Sequence, residues 1–177
     1  MEAPMEGPQV TTQMKFNCNQ LPDFEVPMIN TMVTCLGGEH RRLNDLNMQL
    51  AFAATRLVGD PGAVAATQRA LEVWEEIRHE LRSHLQIEEE LVFSWAEGHH
   101  AISDTLLETL KKERQEMGKL MAALHALSSG GEREPQAGDD RGGFAQTLLA
   151  LAMTLDSHVE RYDGEVLPSI LRTLFHK

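Results

Sequence analysis

The stretch SHLQIEEE (residues 83–90) sets His84 and Glu88 four residues apart. On a helix, that spacing puts an imidazole and a carboxylate on one face, about 6 Å apart at Cβ. Two more histidines have acids close by in sequence: His40 in GGEHRRL, and His158 in DSHVERYD, where Asp163 follows. Imidazole nitrogen and carboxylate oxygen are ligand types that suit iron, manganese or zinc. A single inward histidine is ordinarily a satisfied core residue. Three on separate helices, with acids beside them, pose a different problem, because buried imidazoles and carboxylates are costly unless something compensates. A shared cation is the compensation that uses all of them together.

Such groups need elements to carry them. The chain has 177 residues, 42% hydrophobic and only 5% aromatic, and is rich in Leu, Ala and Met, a mix that favours helices around one core. Residues 1–26 hold Pro4, Pro8 and Pro22 without periodicity and read as an extended arm. Residues 27–177 hold four apolar-periodic segments: about Pro27 to Val58, Pro61 to about Glu97, Ser103 to SSGG (128–131), and roughly Phe144 to Leu174. The polar loop GEREPQAGDDRGG separates the last two. The expected fold is all-α, an up-down-up-down four-helix bundle with an N-terminal arm.

Heptad positions place the chemistry on that frame. On the first segment the seam runs Ile29, Leu36, Leu43, Leu50, Leu57 with Val33, His40, Asn47, Ala54. On the second it runs Trp74, Leu81, Glu88, Trp95 with Ile77, His84, Leu91. On the fourth, Phe144, Leu148, Leu151 and Leu155 lead to His158. The third reads Leu106, Leu110, Glu113, Met117, Leu120, Leu124, Leu127, so Glu113 is its one polar member and should point inward. His158 and Asp163 are five residues apart, about 140° on a regular helix, so turning both inward requires a π-bulge, which Gly164 could ease.

The remaining features narrow the function. A net charge of −11 argues against nucleic acid or an anionic membrane as partner. Cys18 and Cys35 are too few for a disulfide scaffold, and Cys35 reads as a small buried hydrophobe. With no long apolar run and no basic, apolar leader, a cytoplasmic protein is expected. His79, His99, His100, His125 and His176 carry no site, although His125 lies on the apolar side of its helix. Met117, Met121 and Met153 read as core packing. Tyr162 reads as a core residue with its hydroxyl paired, with a phenolate ligand to ferric iron as the rival reading. Glu165 falls on the same seam and reads as a partner of ligands, and Glu89 and Glu90 as solvated.

SHLQIEEELVFS (83–94), SHVERYDGEVLPS (157–169) and EHRRLNDL (39–46) together resemble the second-, fourth- and first-helix motifs of hemerythrin-like, HHE cation-binding domains of bacterial type. The resemblance spans nearly everything from residue 27 onward. It implies His40 as the first-helix ligand, His84 and Glu88 as histidine and bridging carboxylate, and His158 and Asp163 as the fourth-helix histidine and other bridging carboxylate. The third-helix stretch KKERQEMGKL (111–120) departs from the pattern: Glu113-Arg114 stands where Glu-His would, and Gly118 where a second histidine would fall. Three outcomes are open. Glu113 replaces the histidine, Arg114 supplies the missing charge by pairing Asp163 or Glu88, or the site is dead.

The resemblance implies a non-haem metal protein with iron, di-iron or mononuclear, and with zinc or manganese as rivals. It also implies the binding or sensing of O2, NO or a redox signal. A di-metal enzyme acting on peroxide or NO is the second reading, and a metal-free helical interaction domain the third. A homodimer through the first helix or the arm is compatible with the sequence, which does not require it.

Overall fold

The computed structural model describes residues 22–60, 64–129 and 139–175. Its elements are α1 (Pro22–Gly59), α2 (Val64–Ile87), a π-helical segment (Glu88–Phe93), α3 (Ser94–His99), α4 (Asp104–Ser129), α5 (Asp139–Arg161), a second π segment (Tyr162–Val166) and α6 (Leu167–Phe175). Joined end to end, α2, the first π segment and α3 form the second arm of a four-helix bundle, and α5, the second π segment and α6 form the fourth. No strand occurs among the described residues. Among them, too, no helix is long and apolar enough to cross a membrane.

The boundaries follow local chemistry. Helix α1 begins at Pro22, so residues 22–26 of the predicted arm are helical; residues 1–21, Cys18 among them, lie outside the described residues. Helix α1 stops at Gly59, as the Gly-Asp-Pro sequence requires. Ser103 caps α4, its Oγ accepting the Leu106 N–H at 3.2 Å. Helix α5 starts five residues earlier than predicted, taking in Gly142 and Gly143. His100 ends α3 with the left-handed φ of 50°, the turn that lets the chain reverse into α4.

Helix α1 packs against α2 and α5, and α5 packs against α4. Two apolar bodies result. The larger holds Leu43, Leu50, Leu57, Trp74, Ile77, Leu81, Met117, Leu124, Leu148 and Leu155. The smaller holds Leu36, Val92, Phe93, Trp95, Leu110, Tyr162, Val166 and Ile170. Fully burying a large side chain is worth about 1.5–3 kcal/mol, so these bodies hold the bundle against chain entropy.

Some seam expectations fail, for identifiable reasons. Leu91 is 41% exposed while Val92 and Phe93 are buried, because the π segment inserts residues into the turn and rotates the frame after Glu88. Met153 is 72% exposed, one residue past the inward-facing Ala152. Cys35 is exposed, next to the buried Leu36, and His125 is exposed beside buried Leu124.

Candidate metal centre

A polar layer separates the two apolar bodies. On each long helix one site residue falls between a member of the smaller body and a member of the larger: His40 between Leu36 and Leu43, Glu88 between Val92 and Leu85, Glu113 between Leu110 and Met117, His158 between Tyr162 and Leu155. Heptad position alone therefore brings these groups to one level of the bundle. His40, His84, Glu88 and His158 are at most 1% exposed, whereas Glu113 keeps 16% of its side chain in contact with solvent.

Glu88 sits at the centre. His158 Nε2 lies 3.2 and 3.1 Å from its two oxygens. His84 Nε2 lies 3.2 Å from Oε1, close enough for an ion pair but out of line for a hydrogen bond. One ligand atom each from His40, His84 and Glu88 can be chosen so that all lie within 4.8 Å of one another. The His40 and His84 rings meet edge to face at 4.8 Å, and the Tyr162 ring stands against His40 at 4.9 Å.

Each imidazole also has an acid behind it. Asp163 Oδ1 lies 2.6 Å from His40 Nδ1, Glu39 Oε2 lies 2.9 Å from His84 Nδ1, and Glu113 Oε2 lies 3.3 Å from His158 Nδ1. The other oxygen of Glu113 accepts from Arg161 Nε at 3.0 Å, and Arg161 Nη1 lies 3.5 Å from Glu165. The predicted π-bulge is present as Tyr162–Val166. With it, Asp163 reaches the buried His40 although its own side chain is 48% exposed.

The electrostatics follow from this packing. Burial alone would raise the Glu88 carboxyl, but the contacts with His158 and the nearby His84 imidazole outweigh it and bring it down to about 2. Burial alone would lower His158, but Glu113 and Glu88 outweigh it and hold it at about 9. His84 is likewise burdened by burial and raised on balance by Glu88 and Glu39. His40 stays below its ordinary value because burial prevails over Asp163. Burial pushes the Tyr162 phenol well above its ordinary range. Without a cation, a protonated imidazole thus supplies the positive charge that the buried Glu88 needs.

Whether the donors suit a metal can be judged from the atoms left over. His40 Nε2, His84 Nε2 and the Tyr162 hydroxyl are buried and have no hydrogen-bond partner. Two imidazole nitrogens without partners, grouped within 4.8 Å of a buried carboxylate, form a donor set of the kind divalent transition metals take. The residues present fit such an ion.

Two expectations need correcting. Arg114 reaches neither Asp163 nor Glu88. Its Nη2 bonds Glu89 at 2.7 Å and the Leu85 carbonyl at 2.8 Å, and its guanidinium lies over Phe93, because residue 114 is one step off the inward seam. The Tyr162 hydroxyl is not paired, since the π segment delivers it against imidazole rings. Reading the sequence missed Glu39 and Arg161. Both flank a seam position, Glu39 beside His40 and Arg161 three residues after His158, where a long side chain reaches the neighbouring helix.

A helical bundle with a buried His/His/Glu cluster defines a metal-binding helical domain. The family model described as hemerythrin HHE cation binding domain matches residues 22–170, and the chain belongs to that family. Comparison with curated proteins and with solved structures finds no match. Membership implies non-haem metal binding, usually of iron.

Proposed function

We propose that the chain binds a non-haem metal ion in the polar layer and uses it to bind or sense a small diatomic ligand such as O2 or NO, or a redox signal. The observation that carries the metal reading is the pair of buried, unpartnered nitrogens, His40 Nε2 and His84 Nε2, beside Glu88. A bound ion would supply an electrophilic centre for a small ligand. The protein supplies the rest. Apolar side chains flank the layer on both sides. The Tyr162 hydroxyl, unpartnered beside His40, is a hydrogen-bond donor available to a diatomic molecule. At one edge the half-exposed Glu39 and Asp163 touch buried histidines, which leaves the layer one side chain deep from solvent there.

The test begins with elemental analysis of protein purified without added metal. Iron-loaded protein is then titrated with NO under anaerobic conditions and followed by absorption and electron paramagnetic resonance. A saturable spectral change that Tyr162→Phe weakens supports the reading. Metal binding without any response to NO, O2 or peroxide would leave a structural metal and remove the sensory role. His84→Ala is expected to lower both metal content and Tm, because metal binding and folding are linked.

A further inference from the structure

The three histidines of the polar layer share one arrangement. Each turns Nδ1 to a carboxylate that reaches it from another helix or from a π segment: His40 to Asp163, His84 to Glu39, His158 to Glu113. His158 sets Nε2 against the Glu88 oxygens, whereas Nε2 of His84, 3.2 Å from Glu88 Oε1, and Nε2 of His40 are buried without a hydrogen-bond partner. We infer that this layer takes one divalent cation and not a pair, held by His40, His84 and the Glu88 carboxylate, whose ligand atoms lie within 4.8 Å of one another. Asp163, Glu39 and Glu113 then act as acceptors that position the imidazoles, not as ligands. The inference rests on the metal-binding reading above and adds to it the number of ions and the role of each acid.

Three arguments support it. The two nitrogens of an imidazole point in widely diverging directions, so an acid seated on Nδ1 stands across the ring from anything on Nε2. A carboxylate accepting from Nδ1–H fixes the tautomer that leaves Nε2 free to donate its lone pair, and it makes that nitrogen a stronger base. Arg161 secures this for Glu113 by holding the second oxygen at 3.0 Å.

The donor supply is the second argument. Two ions sharing a site lie about 3.5–4 Å apart, and each needs its own ligands besides any bridge. Once the three Nδ1 partners are accounted for, one ion takes His40, His84 and Glu88, and a second would have only His158 Nε2 and a share of Glu88.

Charge is the third. One divalent ion with Glu88 leaves a single excess positive charge, and the three surrounding carboxylates, less the charge of Arg161, bring the layer to one net negative charge. A second divalent ion would turn that into a net positive charge.

The full chain, stripped with a chelator, is to be titrated with zinc and, without oxygen, with ferrous iron, and the bound ion counted by elemental analysis after desalting. One ion per chain is expected. Two ions per chain would overturn the inference and leave the metal-binding reading standing. No bound ion would overturn that reading, and the inference with it. Far-UV circular dichroism and the Tm of the stripped protein report whether each variant is folded. Glu88→Ala is expected to abolish binding, while Glu39→Gln, Glu113→Gln and Asp163→Asn keep one ion per chain with affinity lowered about 10–100-fold. A folded Glu113→Gln or Asp163→Asn chain that binds no ion would make that acid a ligand and overturn the assignment.

Discussion

Arg161 Nε holds Glu113 Oε1 at 3.0 Å while the other oxygen of the same carboxylate meets His158 Nδ1 at 3.3 Å. A guanidinium on α5 thereby fixes an acid on α4, and that acid fixes an imidazole three residues back on α5. Arg161→Gln should free Glu113 and lower the stability of the metal-free protein by about 1 kcal/mol, less than a fully buried charge-assisted bond because Arg161 is partly exposed. Urea unfolding of the stripped protein measures it; an unchanged midpoint would show that the contact contributes nothing.

The Tyr162 hydroxyl is buried without a partner. Replacing it with phenylalanine removes an unsatisfied polar group and keeps the ring packing. Tyr162→Phe should therefore stabilise the stripped protein by about 1 kcal/mol, or raise its Tm by roughly 2–4 °C, while weakening the NO response. Loss of stability in the stripped variant would mean that the hydroxyl has a partner after all.

The pH dependence of the metal-free protein has a definite sign. His158 is raised from 6.5 to about 9 in the folded chain, so its contribution is complete below pH 6.5 and is lost as pH rises through 9. His84 is raised too and acts in the same direction. Glu88 is lowered from 4.5 to about 2, so its contribution is present above pH 4.5 and disappears as pH falls toward 2. His40 is lowered and opposes the other two histidines below pH 6.5. Thermal unfolding of stripped protein should fall from pH 6.5 to 9. Metal affinity should climb over the same range, because ligation displaces protons. Parallel slopes for the two measurements would contradict this picture.

Gly118 lies on the exposed side of α4, and a Cβ added there meets nothing within 4 Å. Gly118→Ala should raise stability by about 1 kcal/mol through helix propensity alone, with no change in metal content. A fall in Tm would point to a close approach at that helix that the structure does not show.

The sequence made the four helices legible because apolar residues recur at helical spacing for many turns, and the same spacing put His40, His84, Glu88, Glu113 and His158 inside. It also required a π-bulge between His158 and Asp163. Two kinds of feature lay beyond it. The π segment at Glu88–Phe93 breaks the period that the reading relied on, so Leu91 was expected inside and is 41% exposed. Positions flanking the seam, such as Glu39, Arg114 and Arg161, are ambiguous because a long side chain can turn toward either neighbour. Arg114 turned to Glu89, and Arg161 turned to Glu113.

The division of the interior into two apolar bodies bears on how the chain comes apart. In amide-exchange experiments, contiguous packed units open with their own free energies. Here the boundary between such units coincides with the polar layer: Trp95, Tyr162 and Ile170 lie on one side, Leu50, Trp74 and Leu148 on the other. The smaller unit, containing both π segments, should exchange first in the stripped protein. An ion gripped by residues of α1, α2 and the first π segment would rivet the two units together, so that occupancy would turn two openings into one.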